Sequence, residues 1–440
     1  MSLVPRNLIT GKPETLPDQT ALQAMSEAHD AKDWARVLVV GDAWRDARNG
    51  MAPVAAIWYA QALMASGRAE EAVPWASAAV KQLPEIELIG RVAALGNLAA
   101  AYSRVGKFRM ARKAMQEMVN IDVTAVEDAH RTPAVLEGIA DALEKQGHVK
   151  LALSEKYWNR AWQQMESRLT IAGRGLPSEL RQWDGKEQCR VAVIHEQGLG
   201  DGILFARWIP TIQAITGQPV KWYGPKALER WMSDVPHLEI GDQTAMNPAD
   251  FDAAVMLMSL PAVLGCDSPS AIPAPYAPSW VAGKRATRTG STFRVGLCWK
   301  GNIGGWHDFE RSYSLDQFAP MWAEWPTVEF VNLQHDVEVP DNAPFATVRF
   351  QDLVDTAELL ATCDVVVSVD TSIVHLAGSC GIPTLALLPT VTDWRYRWPH
   401  AGGSDFYPSV TAIRRKTSVD LSALVLARTL IEHMAERIPV

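Results

Sequence analysis

The stretch that decides the fold lies late in the chain and reads Val366-Val367-Ser368-Val369-Asp370-Thr371-Ser372-Ile373-Val374-His375-Leu376-Ala377-Gly378. Its apolar first part is typical of a buried strand, and a helix is expected to follow Asp370 at once. Open α/β sheets bind ligands beyond the carboxyl ends of their strands, and the free N–H groups at a helix start suit a phosphate. The stretch therefore predicts an α/β fold with an anion site at the start of the helix, at Thr371 and Ser372. The alternative is a capped core helix in which His375 is a satisfied polar group.

Outward from this stretch, strands and helices alternate from residue 188 onward. A first series has predicted strands over 189–195, 220–224 and 252–258, with a Gly-rich turn and a helix over 203–215. A Pro-rich segment and a Gly/Thr-rich linker follow, and then the scheme restarts. The second series has predicted strands over 293–299, 328–333, 365–369, 384–388 and 410–414. Alternation of this kind favours parallel sheets, so we expect two Rossmann-like halves, 188–285 and 292–440, with a cleft between them.

The N-terminal third has a different texture. Residues 19–170 are Ala-rich with a helical period, and 1–18 are expected to be a flexible lead-in. A unit recurs in which Gly67, Gly106 and Gly147 each follow an apolar helix, at spacings of 39 and 41 residues. Glycine ends helices where φ is positive, so we expect a helix to end at each of the three. The pattern resembles tetratricopeptide repeats, although their usual period is about 34 residues. A plain helical bundle is the alternative for this region. Together, the helical region and the two α/β halves predict the fold class α + α/β.

Composition limits the function. The 440 residues carry a net charge of −8, which disfavours a general nucleic-acid coat protein and leaves room only for a local basic groove. The five widely spaced cysteines predict reduced thiols and a cytoplasmic location. No apolar stretch approaches the length of a membrane span. Of the 17 tryptophans, Trp158 and Trp162 are expected to pack within the repeats, and Trp299 and Trp394 lie beside the anion-site motifs.

Four motifs, in order, resemble glycosyltransferase family nine, the heptosyltransferases. They are residues 196–201 (Glu-Gln-Gly-Leu-Gly-Asp); 295–302 with His307-Asp308 and Arg311-Ser312; 370–378 with 381–384; and Asp393-Trp394-Arg395 with 406–409. The chain is also similar to the O-GlcNAc transferase class, in which tetratricopeptide repeats precede a GT-B catalytic domain. The likeness covers about residues 188–440.

The resemblance implies a metal-independent, inverting GT-B glycosyltransferase without a cofactor. Its nucleotide-sugar donor would lie on the second half, and its acceptor would lie against the first half and the repeats. A protein side chain is the first expectation for the acceptor, a saccharide or lipid-linked glycan the second, and a modified nucleobase the third. The oligomeric state is left open.

Two residues compete for the role of catalytic base. Asp201 follows the glycines of the first turn, and the matching family aspartate is thought to be the base; the alternative is that Asp201 caps the following helix. His195, at the end of the first strand, is the competing base, although a lone histidine is more often structural.

The donor diphosphate needs cations and N–H groups in place of a metal. Lys300 (where many relatives have a small residue), Arg311, Thr371 and Ser372 are the candidates. Asp370 is expected to orient its loop or to contact the donor sugar, and His375 to bond a phosphate or to hold its helix. Asn302 and His307 are loop candidates or solvated turn residues. Trp394 would form a wall of the donor site, or would pack with Arg395 in a structural turn.

Three other functions are weighed against a metal-independent transferase. Asp250 and Asp252 form an Asp-x-Asp, the metal-binding signature of the other major glycosyltransferase fold, but without the expected context. A repeat adaptor with a degenerate sugar-nucleotide module is the non-enzymatic alternative. A dinucleotide oxidoreductase is disfavoured, because the first turn lacks the full Gly-x-Gly-x-x-Gly pattern and an acidic ribose ligand.

Overall fold

The structure is a computed structural model of the chain. It describes residues 16–47, 51–84, 87–125, 133–153, 158–170, 175–286, 292–301, 308–323, 325, 327–335, 337–339, 343–396, 403–416 and 420–436. By its internal contacts the chain divides into two compact units. The first unit comprises Met1–Leu153, Gln163–Arg174 and Lys416–Asp420, and the second comprises Ser154–Trp162, Gly175–Arg415 and Leu421–Val440. The four domain boundaries expected from the sequence remain predictions.

Helices in sequence build the first unit, and successive helices pack on one another. They are α1 (Leu16–Asp30), α2 (Trp34–Ala47), α3 (Pro53–Ala65), α4 (Ala69–Gln82), α5 (Leu88–Arg104), α6 (Phe108–Val119) and α7 (Pro133–Ala152). Their contact faces are rich in buried alanine, and Ala60, Ala72, Ala79 and Ala101 are fully covered. Small side chains of this kind let helix backbones approach closely. That the helices are tetratricopeptide repeats remains a prediction.

Three turns between these helices share one hydrogen-bond pattern. Lys32, Gly67 and Gly106 each have a positive φ, between 57° and 75°. In each turn the following residue donates its N–H to the carbonyl oxygen five positions earlier, as from Arg68 to Leu63 at 2.8 Å. This is the Schellman helix ending, in which the left-handed residue is most often glycine. The predicted helix ends at Gly67 and Gly106 are therefore confirmed.

The predicted helix end at Gly147 is wrong. Helix α7 runs through Gly147 without a break, to Ala152. The preceding residue explains the continuation, because the Gln146 amide donates to the carbonyl oxygens of Met118 and Ile121, each at 2.8 Å. These bonds hold that stretch of α7 against the end of α6. A glycine inside a helix costs only about 1 kcal/mol relative to alanine, which such contacts offset.

The first sheet of the second unit has four parallel strands in the order β3-β2-β1-β4. They are β1 (Val191–Ile194), β2 (Val220–Tyr223), β3 (Leu238–Gly241) and β4 (Ala253–Met256). Strand β3 was not predicted; it is short and reads Leu-Glu-Ile-Gly, with only its last residue buried. The direction of strand order reverses at β1, where β2 and β4 lie on opposite sides.

Helix α8 (Trp158–Met165) precedes the first strand, and the helices that follow it are α9 (Leu199–Phe205), α10 (Ile209–Thr216), α11 (Lys226–Met232), α12 (Leu260–Val263) and α13 (Ser279–Ala286). The single helix predicted over 203–215 is in fact α9 and α10, joined by a 3₁₀ turn at Ala206–Trp208. Pro210 lies in the first turn of α10, where a missing N–H is tolerated. Helix α9 begins earlier than predicted, and the Asp201 carboxylate in its first turn accepts the N–H of the N-cap residue Gly198 at 3.0 Å.

The second sheet has five parallel strands in the order β6-β5-β7-β8-β9. They are β5 (Phe293–Cys298), β6 (Val328–Asn332), β7 (Val365–Val369), β8 (Thr384–Leu388) and β9 (Val410–Arg414). The helices are α14 (Asp308–Arg311), α15 (Leu315–Phe318), α16 (Leu353–Leu360), α17 (Ser372–Ser379) and α18 (Ser422–Ala435). All five strands were predicted, and a mixed α + α/β class with parallel sheets is confirmed.

The core of the second sheet explains its continuous apolar strands. Val295, Val367 and Leu387, on three adjacent strands, are at most 1% exposed and belong to one cluster that α18 covers through Ala427 and Ile431. Strands buried on both faces are typical of parallel sheets. Within the described part of the chain, no helix is both long and apolar enough to cross a membrane.

Candidate active site

The switch point of the second sheet brings two of the predicted motifs together. Strands β5 and β7 are neighbours, while β6 lies on the other side of β5. The carboxyl end of β5 therefore places Lys300 and Gly301 next to Asp370 and Thr371 at the end of β7. This is the position at which open α/β sheets bind ligands.

Local hydrogen bonds fix the loop after β5. The Lys300 N–H donates to Gln334 Oε1 and the Gly301 N–H donates to Ser312 Oγ, both at 2.9 Å. The backbone is therefore held in place, and Lys300, which is partly exposed, stands at the sheet edge. Asn302 and His307, the loop candidates, lie outside the described residues.

Arg311 links the two strand ends. Its Nη1 donates to the Asp370 carbonyl oxygen at 2.8 Å. Its guanidinium also lies against Gly301, where an added Cβ would come within 2.4 Å of Arg311 Nε. A side chain at this position would thus force the Arg311 guanidinium to shift. The predicted donor-site cation lies at the switch point itself.

Helix α17 begins in the way the sequence predicts. Thr371 is its N-cap and accepts a hydrogen bond from the Ile373 N–H at 3.3 Å. Its hydroxyl also lies 3.2 Å from Ser368 Oγ. Ser372 is the first residue of the helix and is partly exposed. The helix start, with its partial positive charge, therefore faces the loop that carries Arg311.

Asp370 has an unusual electrostatic setting. It accepts a hydrogen bond from the Tyr396 hydroxyl at 3.0 Å. Burial and the nearby charge of Asp393 raise the pKa of Asp370 to about 6, against the opposing effects of Arg395 and Arg311. Strongly perturbed carboxyl groups in a ligand-binding position are typical of functional sites.

His375 is buried and neutral. Burial, followed by the positive charge of Arg395, lowers the pKa of His375 to about 3. Its Nδ1 lies 3.2 Å from the Tyr407 hydroxyl, and its ring lies against Gly200 of α9. An added Cβ on Gly200 would approach His375 Cδ2 to 2.6 Å. The ring therefore forms part of the contact between α17 and α9, which brings the two sheets together.

Asp201 stands at this contact, from the side of the first sheet. Its Oδ2 accepts the Gly198 N–H at 3.0 Å, and its Oδ1 pairs with Arg395 Nη2. Arg395 also donates from Nη1 to Asp393 Oδ1 at 2.7 Å. Only 12% of the Asp201 and Arg395 side chains is exposed. The helix-capping alternative for Asp201 is thus met by the geometry, and the same carboxylate faces the donor-side cations.

His195 has a different environment. Neither of its buried ring nitrogens has a hydrogen-bond partner of good geometry among the described residues, and the ring packs edge-on against Trp222 with centroids 6.1 Å apart. Burial lowers the pKa of His195 against the opposing effect of Asp201. Its ring atoms lie beside Gly202, and its Cβ beside Gly224. These contacts agree with a structural role, and its role as a base remains a prediction.

Trp394 is 6% exposed and belongs to a buried aromatic cluster. Its ring packs against Trp162 with centroids 5.5 Å apart and against Phe406 at 5.6 Å. The Arg395 guanidinium lies 4.3 Å from the Trp394 centroid. This packing favours the interpretation of Trp394 as part of a structural turn over that of a donor-site wall. Trp162, expected to pack within the repeats, belongs to this cluster.

Asp250 and Asp252 come directly before β4, at the amino end of that edge strand of the first sheet. Arg190 forms a two-point pair with Asp252, with Nε and Nη2 at 3.1 and 3.0 Å from its oxygens. This pair lowers the pKa of Asp252 to about 2. Asp250 Oδ1 accepts from Asn247 at 3.2 Å. No group of three metal-ligating side chains occurs among the residues that the structure describes. Asp252 is thus ion-paired just before β4, and a metal-binding role for Asp250 and Asp252 remains a prediction.

Sequence reasoning did not include Arg207 in the site. It is 3% exposed, donates to the Phe406 carbonyl oxygen at 2.8 Å, and has its guanidinium carbon 4.8 Å from the Tyr407 centroid. It also donates to the carbonyl oxygen of Pro273 at 3.3 Å. It therefore joins the end of α9 to the loop before β9. No sequence motif marks this role.

No family model matches the chain. Protein FlbA of Caulobacter vibrioides (strain ATCC 19089 / CIP 103742 / CB 15) is 26% identical over 334 residues. The match covers 66% of this chain and spans about half of the relative's length, 54%.

The structure is also similar to solved glycosyltransferases. E. coli ADP-heptose LPS heptosyltransferase II has 12% identity and a TM-score of 0.40, over 55% of this chain and 99% of that one. A family 9 glycosyl transferase from Veillonella parvula DSM 2008 has 12% identity and a TM-score of 0.42, over 58% and 99%. A mutant form of the O-GlcNAc transferase of Thermobaculum terrenum has 14% identity and a TM-score of 0.30, over 96% and 93%. These are the enzyme groups that the motifs resemble. TM-scores this low support no conclusion about function. A proposal for the function therefore depends on the residues of the chain itself.

Proposed function

We propose that the protein is a glycosyltransferase that moves a sugar from a nucleotide-sugar donor to an acceptor, without a metal or another cofactor and with inversion at the anomeric carbon. One observation carries the proposal. Asp201, in the helix that follows β1, pairs with Arg395, and Arg311 and the start of α17 lie nearby, at the carboxyl ends of β5 and β7.

The chemistry assigns a role to each group. The acceptor hydroxyl or amide attacks the anomeric carbon, and its proton passes to Asp201 as the new glycosidic bond forms. The bond from the anomeric carbon to the diphosphate oxygen breaks, and the diphosphate leaves with the electron pair. Arg311, Lys300 and the first N–H groups of α17 stabilise that charge in place of a metal.

Three classes of acceptor are proposed, in order. A protein side chain ranks first, because paired helices such as α3 to α6 are suited to present a peptide. A saccharide or lipid-linked glycan ranks second and a modified nucleobase third. A cytoplasmic location remains part of the proposal.

Donor binding is tested first. UDP-, GDP-, ADP- and CMP-sugars are screened by thermal shift, with EDTA present throughout. A ligand at about 100 times its Kd stabilises the folded state by about 2.7 kcal/mol, which raises the Tm by several degrees. We expect one nucleotide class to do so. A Tm unchanged by every donor would reject the donor site.

Transfer is tested with the donor that binds, labelled in its sugar, by following label into the protein, glycan, lipid and nucleic-acid fractions of a lysate. Asp201→Asn should bind the donor at least as tightly as the unaltered chain does and lose transfer by about 100-fold or more, the scale of a general base. Asp252→Asn is the matched control, because it alters another aspartate that is paired with an arginine. Loss of transfer in Asp252→Asn, restored by Mn²⁺, would favour the metal-dependent alternative.

The geometry of Asp201 favours one second candidate, a non-catalytic sugar-nucleotide-binding adaptor. Both carboxylate oxygens are engaged, one by the Gly198 N–H and the other by Arg395. A purely structural Asp201 would look the same. The two functions separate in the assays above, because the adaptor binds a donor and transfers no label.

A further inference from the structure

Arg395 lies between two carboxylates at the meeting point of the two sheets. It pairs with Asp201 through Nη2 and with Asp393 through Nη1. Its Nε is buried and makes no hydrogen bond with any described residue. Burial lowers the pKa of Arg395, but the carboxylates raise it more, so the pKa lies above its ordinary value and the group is charged.

The backbone of Arg395 is fixed while its side chain has a choice of partners. Its N–H donates to Asp393 Oδ1 at 3.0 Å, and the Tyr396 N–H donates to the Asp393 carbonyl oxygen at 3.2 Å. The guanidinium lies against the Trp394 ring, which is locked in the aromatic cluster. Such a face holds a cation in place without specifying which anion it pairs with.

The pairing with Arg395 limits what Asp201 can do. A general base needs a free lone pair directed at the proton that it removes. Here a charge-assisted hydrogen bond from Arg395 occupies Oδ1, and the Gly198 N–H occupies Oδ2. Each oxygen keeps a second lone pair, but the two hydrogen bonds fix the orientation of the carboxylate, so in the arrangement observed Asp201 is not free to turn toward an acceptor.

A donor diphosphate would compete for Arg395. The planar guanidinium matches phosphate oxygens as well as it matches a carboxylate, and a diphosphate carries more charge. The other groups proposed to hold the diphosphate are close by, since Arg311 bonds the Asp370 carbonyl oxygen and Tyr396, next to Arg395, bonds the Asp370 side chain. An anion held there lies within the same charge cluster.

We propose that Arg395 is a positioning residue that couples the base to the donor: it holds Asp201 when the donor site is empty and pairs with the diphosphate when the donor binds. The inference rests on the proposed function. Asp201 then becomes able to accept the acceptor's proton only after the donor has bound. The acceptor is not activated without a donor, and the reaction is ordered, with the donor first.

The groups that face Asp201 and Arg395 define the alternatives. Asp393 shares Arg395, Asp370 and Arg311 lie on the donor side, and His195 and His375 contribute from the two sheets. Arg395 could instead have only a structural role, in the contact between the two sheets. In that case, loss of its partner Asp201 would leave the affinity for an anion unchanged or weaken it. If Arg395 is exchanged between two anions, loss of the competing Asp201 strengthens binding.

Calorimetric titration with UDP, GDP, ADP and CDP gives this test without any acceptor. For the nucleoside diphosphate that binds, we expect Asp201→Asn to tighten the Kd about 5- to 10-fold and Arg395→Gln to weaken it 10-fold or more. The double variant should match Arg395→Gln, because Asp201 acts on the anion through Arg395. Arg395→Lys keeps the charge and loses the planar guanidinium, so its Kd should lie between the Kd of the unaltered chain and that of Arg395→Gln.

Matched controls are Arg190→Gln and Asp252→Asn, which break an Arg–Asp pair at the other edge of the first sheet and should change the Kd less than twofold. Circular dichroism and Tm values check that each variant folds. If Arg395→Gln does not fold, the direction of the Kd change in Asp201→Asn alone decides the test. A Kd that is unchanged or weaker in Asp201→Asn overturns the coupling and leaves the donor site standing. Failure of all four diphosphates to bind the unaltered chain overturns the proposed function and the coupling together.

Discussion

Asp370 illustrates, at the scale of one residue, how a buried carboxyl group lowers the stability of its own fold. An unfolded aspartate has a pKa of about 3.9, whereas burial and Asp393 raise the pKa of Asp370 to about 6 in the folded chain. Between these values the folded state holds a proton that the unfolded state has lost. The free energy of unfolding therefore falls as pH rises from about 4 to 6.

Asp370→Asn should remove this penalty. The amide keeps an oxygen that can accept the Tyr396 hydroxyl. We expect the variant to be more stable than the unaltered chain by about 1–3 kcal/mol at pH 7.5, with the difference vanishing near pH 4. Urea unfolding at both pH values measures it. Asp252→Asn is a control of opposite sign, because Arg190 lowers the pKa of Asp252, so its loss of stability should be greatest at neutral pH. A stability difference for Asp370→Asn that is the same at both pH values contradicts the prediction.

Most residues of the candidate site were predicted from the sequence, but their pairing was not. Asp201, Asp370 and Thr371 each follow a buried strand or lie in a Gly-rich turn, and such local patterns are readable, whereas Arg311 was a candidate because of the family resemblance. The partner of Asp201 is Arg395, which lies 194 positions away. No local pattern specifies a contact of that separation. The buried cation Arg207 escaped notice for the same reason, since its acceptor Phe406 is 199 positions away.

At the scale of elements, the strands of the second sheet were predicted almost to the residue because all are rich in apolar residues and have clear ends, and β7 and β8 are buried throughout. The first sheet was harder. Strand β3 has a half-exposed pattern and four residues, and its pairing with β2 depends on tertiary contacts. Gly147 failed as a helix end because Gln146 is bonded to distant carbonyl groups. Local propensity is a weak guide wherever tertiary contacts decide.

The contact between α9 and α17 gives a prediction for elements. Gly200 lies inside α9, and by helix propensity alone alanine there would stabilise the chain by about 1 kcal/mol. However, an added Cβ would lie 2.6 Å from the buried His375 ring. We expect Gly200→Ala to cost about 1–3 kcal/mol, since the helices must separate, and to weaken donor binding.

Gly96→Ala is the control for that prediction. Gly96 lies inside α5, and an added Cβ there would meet Met118 Sδ at an ordinary 3.6 Å. This variant should be slightly more stable in urea and should bind the donor as before. A Gly200→Ala variant as stable as Gly96→Ala would mean that α9 and α17 are not in close contact.

At the scale of the whole molecule, the second unit takes a segment from the helical part of the sequence. Ser154–Trp162 belongs to this unit although the repeats were expected to continue to residue 170. Trp158 packs against Phe406 with centroids 6.2 Å apart, and Trp162 packs against Phe205 at 6.1 Å. Both indoles are at most 3% exposed. The sequence could not assign them, because a tryptophan at helical spacing looks the same on either side of a unit boundary.

Two truncations test this assignment. A chain over residues 154–440 keeps both indoles, and one over 175–440 lacks them. Loss of a buried Trp side chain costs about 3–5 kcal/mol. We therefore expect the shorter chain to unfold at a Tm roughly 10 °C lower, or to fail to fold cooperatively, as followed by circular dichroism. In the full-length chain, Trp162→Ala should destabilise by about 3–5 kcal/mol, while Trp280→Ala, which changes an indole bonded to the exposed Asp234, should cost less. Equal Tm values for the two truncations would place Trp158 and Trp162 with the helical repeats after all.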